Sequence, residues 1–173
     1  MSKAAGKENA AKKPTLSHRA EYYAMRATIG GLRALSWEAA CKIGAKLGAL
    51  GYRPLGIRKR VVERQIAAAF PDMRRTAVLK LARQSYEHLG RTFIETALLD
   101  SLGKDGLQNL VETVEGWEEI EEVMSKGKGA VLVTGHLGNW ELAGAYVAAR
   151  GVPLDAIARG MANPLFDAYL NHT

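Results

Sequence analysis

Apolar residues recur at helical spacing through the first 100 positions. The clearest series is separated by steps of three and four: Val78, Ala82, Tyr86, Leu89, Phe93 and Ala97. This spacing predicts a long helix with one buried face. The basic run 58–60 opens a shorter helix before it, which reaches Phe70 and ends at Pro71-Asp72. The front half of the chain is therefore predicted to be helical.

Residues 19–52 combine apolar and aromatic side chains with regularly placed charges. They predict two amphipathic helices, broken at Gly30-Gly31. Charged residues interrupt every stretch that is long enough to span a bilayer: Arg26, Arg33, Glu38, Lys42 and Lys46. A transmembrane helix needs about 20 mostly apolar residues, so none is predicted. Amphipathic helices of this type either lie in a membrane interface or pack on the domain, and the pattern leaves both open.

The hydrophobic pattern changes after residue 110. Three short segments predict strands: 111–116 ("VETVEG"), the continuous apolar run 130–134 ("AVLVT") and 154–158 ("LDAIA"). Helices are expected at 117–129, at about 140–150 and from Pro164 onward, with Asn163 as the cap of the last one. The fold class is therefore predicted as α/β, with N-terminal helices followed by a β-α-β-α segment. A sheet of this kind needs further strands, so we expect the sequence to be truncated.

Composition sets the size and class of the protein. The 173 residues are 47% hydrophobic and 24% charged, as expected for a globular domain with a core. The single cysteine, Cys41, excludes an internal disulfide and a multi-cysteine zinc site, and it is expected to be a buried side chain. His18, His88 and His172 do not have metal-ligand spacing, so no metal site is predicted.

Positive charge is concentrated in the front of the chain. Residues 1–60 hold 13 Lys and Arg against 3 acidic residues, whereas residues 61–173 have a net charge of −4. Residues 1–18 predict a flexible basic tail, because they contain few large apolar side chains. The charge by itself leaves two anionic partners open, nucleic acid and a phospholipid surface.

The segment "VLVTGHLGNWELAG" (131–144) holds the candidate chemistry. Its glycines do not follow the G-x-G-x-x-G spacing, and Arg159 stands where a dinucleotide site would have an acidic residue. His136 and Glu141 would lie about 140° apart on one helix, so they would not share a face. With His136 in a loop and Asn139 as the N-cap of the next helix, however, Glu141 falls in the first turn and the two side chains can meet.

A carboxylate bonded to one imidazole nitrogen leaves the other nitrogen free to accept a proton. His136 and Glu141 are therefore candidates for a general-base pair that deprotonates a substrate hydroxyl. The spacing alone also fits an ordinary loop histidine followed by an acidic helix start.

Three blocks of the sequence resemble one family. "GKGAVLVTGHLGNWELAG" resembles the H-x4-D/E motif of the bacterial lysophospholipid acyltransferase-like family, which includes lipid A lauroyl and myristoyl acyltransferases and phosphatidylinositol mannoside acyltransferases. The upstream helices "RKRVVERQIAAAFPD" and "ARQSYEHLGRTFIE", the latter with Glu95, and the downstream "IARGMANPLFDAYL" are also similar to family blocks. The resemblance covers residues 19–173, with 19–60 as membrane-proximal amphipathic helices. The motif residues that match are His136, Gly138, Asn139, Trp140 and Glu141.

This resemblance implies an O-acyltransferase. His136 would act as general base with Glu141 beside it, and Arg159, Gly138 and Asn139 would bind substrate. The implied donor is the thioester of an acyl carrier protein or of coenzyme A, with no cofactor. The implied acceptor is a membrane glycolipid such as a lipid A precursor, and the implied location is the cytoplasmic face of the inner membrane, attached peripherally or monotopically, with no nucleic-acid partner.

Family members are considerably longer than this sequence, so we expect the fragment by itself to be incompletely folded and inactive. An alternative function of a different class is a non-enzymatic helical module that binds anionic membranes through residues 1–60. In that case His136 and Glu141 would be incidental.

Overall fold

The computed structural model describes residues 13–127, 129–155 and 161–170. None of the helices in these ranges is long and apolar enough to pass through a bilayer. The regular elements of the described ranges are eight α-helices and a 3₁₀ turn at Leu99–Ser101: α1 (Leu16–Arg33), α2 (Trp37–Tyr52), α3 (Lys59–Ala69), α4 (Arg75–Leu98), α5 (Gly103–Leu110), α6 (Trp117–Ser125), α7 (Trp140–Ala149) and α8 (Pro164–Leu170).

The described residues form two compact units. One contains α1 and α8 (13–34, 155 and 161–170), and the other is Leu35–Leu154, with α2 to α7. The predicted long helix corresponds to α4, the shorter one before it to α3, and those at 117–129 and 140–150 to α6 and α7. Helix α5 was not predicted.

Helix α1 begins with a capping box. The Thr15 hydroxyl accepts a hydrogen bond from the His18 backbone N–H, and His18 Nδ1 accepts one from the Thr15 N–H. The helix then continues through Gly30-Gly31 to Arg33, so the predicted break at the glycines is wrong. The buried side chains of Ile29 and Leu32 flank these glycines on one helical face, and tertiary packing there outweighs the low helix propensity of glycine.

Helix α8 packs against α1 through polar and aromatic contacts. Asn163 caps α8 as predicted, since its Oδ1 accepts a bond from the Leu165 N–H, while its Nδ2 donates to the His18 carbonyl and to Glu21 Oε2, each at 3.1 Å. Tyr22 contacts the aromatic side chains of α8. The aromatic face of α8 is thus partly covered by α1.

In the second unit, α2 and α4 approach each other closely at glycines. A Cβ added to Gly44 would lie 2.6 Å from the Gly90 carbonyl oxygen, and a Cβ on Gly48 would overlap the carbonyl of Tyr86. Cys41 on α2 and Ala82 on α4 are buried in the same helix pair, which confirms the expected burial of the cysteine. Backbone-to-backbone packing of this kind leaves no room for a side chain.

Helix α3 is held against α4 by an aromatic and a polar cluster. Tyr52 and Tyr86 pack ring on ring, with Val62 and Ile66 against them. The Tyr52 hydroxyl donates to Glu63 Oε1 at 2.8 Å, and Arg75 Nη2 donates to Glu63 Oε2 at 2.9 Å. The hydrogen bond from Tyr52 is the main cause that lowers the pKa of Glu63, so this buried carboxylate is ionised and paired.

The predicted strands at 111–116 and 130–134 are not formed, and the described residues contain no strand. The third strand prediction, 154–158, lies mostly outside the described residues, since 156–160 are not described. The α/β sheet is therefore not shown, and the described chain is helical. A parallel strand is stabilised by hydrogen bonds to its neighbours, and no described segment pairs with 130–134, where Val131 and Val133 are 90% and 91% exposed.

The glycine contact between α2 and α4 predicts the effect of a single methyl group. Gly48→Ala should lower the free energy of unfolding by about 1–3 kcal/mol, the usual cost of overpacking, because the methyl group meets backbone atoms that cannot rotate away. Urea unfolding followed by circular dichroism measures this change.

Gly30→Ala is the matched control, since it adds the same methyl group to a helical glycine with no atom within 4 Å. It should be neutral or stabilising, because alanine favours a helix over glycine. Equal stability of Gly48→Ala and the wild type would contradict the close helix contact.

Candidate active site

His136 and Glu141 both contact the indole of Trp140. His136 is in the exposed turn before α7, and its ring centroid is 4.6 Å from that of Trp140. Glu141, in the first turn of α7, accepts a hydrogen bond from Trp140 Nε1 at 3.1 Å. No hydrogen bond joins His136 directly to Glu141 in the described part of the chain, so the catalytic pair stays a prediction.

The backbone of the turn depends on Gly138. Its φ angle is +58°, in the left-handed region that side chains with a Cβ adopt at a cost. No atom lies within 4 Å of the position of an added Cβ, so the reason for glycine here is the backbone conformation and not a neighbouring group. This turn connects the segment 130–134 to the start of α7.

Asn139 is the N-cap of α7, as predicted. Its Oδ1 accepts a hydrogen bond from the Leu142 backbone N–H at 3.1 Å, which satisfies one of the free donors of the first helical turn. The same oxygen lies 3.5 Å from the donating hydroxyl of Thr96. The Asn139 side chain therefore fixes the start of the helix that carries Glu141.

The other end of the Asn139 amide reaches a buried carboxylate on α4. Asn139 Nδ2 donates to Glu95 Oε2 at 3.1 Å. Arg91 Nε donates to the second oxygen, Oε1, at 2.6 Å, and the Cys41 thiol donates weakly to the same oxygen at 3.9 Å. Only 9% of Glu95 is exposed. A buried carboxylate is costly unless its partners compensate the charge, and these partners do so here.

The charges around Glu95 shift two neighbours in the expected directions. The hydrogen bond to Glu95 raises the pKa of the Arg91 guanidinium, and burial raises the pKa of the Cys41 thiol, with the Glu95 charge adding to the effect. Arg91 is therefore fixed as a cation and Cys41 as a neutral thiol. The spacing of Arg91 and Glu95 by four residues signals a helical ion pair, but no local pattern signals the contact from Glu95 to Asn139.

The remaining predicted site residue, Arg159, lies outside the described residues, so its role in substrate binding stays a prediction. No described cluster of three or more His, Cys, Asp or Glu side chains is placed to hold a metal ion. A depression of about 610 Å³ is lined by Tyr52, Arg53, Pro54, Gly56 and Lys59. It belongs to the basic loop between α2 and α3, and residues 135–141 do not line it.

Comparison with known proteins gives one family. The family model described as bacterial lipid A biosynthesis acyltransferase matches residues 9–173. The chain is similar to a lipid A biosynthesis lauroyltransferase of Escherichia coli (strain K12), with 28% identity over 126 residues, or 73% of this chain. That match covers 40% of the length of the relative. No solved structure shows a significant match.

The positive φ angle of Gly138 predicts a local effect of substitution. Gly138→Ala should disturb the contact between His136 and Trp140. A residue with a Cβ in the left-handed conformation costs roughly 1–2 kcal/mol, and the backbone of this exposed turn is expected to change conformation to avoid that cost. The ring current of Trp140 acts on the His136 ring protons, so their NMR shift should move toward the value of an isolated histidine.

Gly135→Ala is the control in the same turn. Its φ angle is not in the left-handed region, and an added Cβ would make ordinary contacts of 3.7 Å with Leu137. The His136 signals should stay in place in this variant. An unchanged shift in Gly138→Ala would contradict the role assigned to the glycine.

Proposed function

Because the chain belongs to the bacterial lipid A biosynthesis acyltransferase family, we propose that it transfers a fatty acyl chain from a thioester to a hydroxyl group of a membrane glycolipid such as a lipid A precursor. The donor is the thioester of an acyl carrier protein or of coenzyme A. The observation that carries this proposal is the arrangement at 135–141, where His136 occupies an exposed turn, Glu141 the first turn of a capped helix, and both contact Trp140.

In the proposed reaction His136 acts as general base. One ring nitrogen takes the proton of the acceptor hydroxyl while the hydroxyl oxygen attacks the thioester carbonyl. Collapse of the tetrahedral intermediate breaks the carbon–sulfur bond, and the imidazolium returns the proton to the leaving thiolate. The products are the new ester and a free thiol, and the histidine regains its neutral form.

Glu141 stabilises the imidazolium in this scheme. Its position in the first turn of α7 favours the ionised carboxylate, since the helix N-terminus carries a partial positive charge. In the structure Glu141 accepts a hydrogen bond from Trp140 Nε1, so a change of its rotamer has to exchange this donor for the imidazole. Arg159 is proposed to bind phosphate or the developing oxyanion.

We also propose that the protein is attached peripherally to the cytoplasmic face of the inner membrane. The second unit carries exposed apolar residues at the end of α2 and in the loop after it: Leu47, Leu50, Leu55 and Ile57. Exposed cations are interleaved with them at Arg53, Arg58 and Arg60. We call residues 47–60 the basic loop surface. Apolar side chains beside cations suit the interface of an anionic membrane.

The general-base role predicts the effect of His136→Ala. In the full-length gene product, this variant should transfer acyl groups roughly 10²–10⁴-fold more slowly, the usual contribution of general acid–base catalysis. Its stability should be unchanged because the side chain is exposed. Transfer of a radiolabelled acyl chain from acyl carrier protein or coenzyme A to a lipid A precursor measures the rate.

His88→Ala, which removes an exposed histidine of α4 outside the motif, should keep wild-type turnover. Normal turnover by His136→Ala would remove the general-base assignment. If the same variant still bound anionic vesicles, the non-enzymatic membrane module would then be the better description.

The basic loop surface predicts charge-dependent binding. Replacing Arg53, Arg58 and Arg60 by Gln should weaken binding to anionic vesicles at least tenfold, because each cation near such a surface contributes about 1 kcal/mol. Cosedimentation with vesicles of phosphatidylcholine and phosphatidylglycerol, at low and high salt, measures the affinity.

A matched control replaces three exposed cations from elsewhere in the same unit, Arg74, Lys80 and Lys104, by Gln. The change in net charge is the same, but binding should fall much less. Equal loss in both triple variants would show that net charge, and not the basic loop surface, governs binding.

A further inference from the structure

We propose that Glu95 is a positioning residue for the His136–Glu141 motif and that it acts through the side chain of Asn139. The inference rests on the proposed function, in which that motif performs general-base catalysis. Glu95 lies 44 positions before Asn139 in the chain and belongs to a different helix. None of the described hydrogen bonds joins Glu95 to His136 or to Glu141, so its effect is indirect.

The Asn139 amide connects two helices by its opposite ends. Its Nδ2 donates to Glu95 Oε2 on α4, and its Oδ1 accepts the Leu142 N–H of α7, each at 3.1 Å. In the described part of the chain, the hydrogen bonds that link residues 135–141 to another element both involve Asn139 and both reach α4, at Glu95 and Thr96. The N-terminal end of α7 is therefore tied to α4 at this point.

Apolar packing supplies little to the orientation of the motif. Val131, Val133 and Leu137 around the turn are 90%, 91% and 83% exposed. The buried side chains of α7 are Tyr146 and Val147, near its C-terminal end. Polar contacts to Asn139 therefore carry the positioning of the first turn of α7, where a displacement of about 1 Å at a reacting group can cost on the order of 10²-fold in rate.

With an amide at position 139, the site requires a carboxylate at position 95. Two donors, Arg91 Nε and Asn139 Nδ2, point at two separate oxygens of Glu95. A glutamine has a single acceptor oxygen, so Glu95→Gln satisfies one donor and turns an N–H₂ group toward the other. Arg91 also compensates the buried negative charge, which allows a carboxylate at a position that is 9% exposed.

A reciprocal exchange of groups tests the link. Asn139→Asp keeps a good N-cap but places a second carboxylate against Glu95. Glu95→Gln leaves two donors facing each other. In the double variant the new amide nitrogen at position 95 can donate to the new carboxylate at position 139, while the amide oxygen accepts from Arg91. The net charge of the double variant equals that of the wild type. The double-mutant cycle therefore measures the interaction between positions 95 and 139 apart from the effect of changing either residue alone.

Two measurements are expected to depend on the hydrogen bond between positions 95 and 139. In NMR spectra of the 173-residue chain, each single variant should lose the ring-current shift that Trp140 imposes on the His136 ring protons. The double variant should recover this shift at every pH of a titration. In the full-length gene product, kcat should fall about 10–100-fold in each single variant with KM for the acyl donor within about twofold, and rise again in the double variant.

Glu87→Gln is the matched control, because Glu87 also accepts from an arginine four residues earlier on α4 but does not contact the motif. It should change neither readout. Single variants that behave like Glu87→Gln, or a double variant no better than the sum of the singles, would overturn the proposal. If His136→Ala kept full turnover, the proposed function would fail, while the NMR cycle would still decide whether Glu95 positions the turn.

Discussion

The close approach of α2 and α4 at glycines is the contact on which the second unit depends. Gly44 and Gly48 on α2 face Gly90 and the backbone of Tyr86 on α4, so the two helices meet without intervening side chains. This contact fixes α4 as a support for other elements. Helix α3 packs on it through Val62 and Ile66, which lie against the buried cluster that includes Tyr86. The start of α7 is tied to α4 through Glu95.

Two buried carboxylates serve as polar connections between these helices. Glu63 joins α3 to the end of α2 through Tyr52 and to the start of α4 through Arg75, and it pairs with Lys59 within α3. Glu95 joins α4 to α7. Each carboxylate divides its two oxygens between different donors. Removing a buried charge from water is costly, and such groups are tolerated where charged and polar partners satisfy both oxygens.

The motif turn has a different physical character from this core. Its shape comes from local features, the positive φ of Gly138 and the cap at Asn139, while most of its side chains face solvent. A general base has to be reachable by its substrate, which agrees with an exposed His136. The indole of Trp140 is the local element that contacts both His136 and Glu141.

Local patterns determined most of the helices and two of the helix caps. The apolar spacing predicted α4, and residue type predicted the caps at Asn139 and Asn163 and the place of Glu141 in the first turn of α7, because these features depend on neighbours within four residues. Tertiary contacts decided the rest. Helix α1 continues through Gly30-Gly31, the apolar segment 130–134 has no strand partner among the described residues, and Glu95 reaches Asn139 across 44 positions. Strand pairing and a hydrogen bond between distant residues depend on which segments meet in space, and hydrophobic periodicity within one segment does not contain that information.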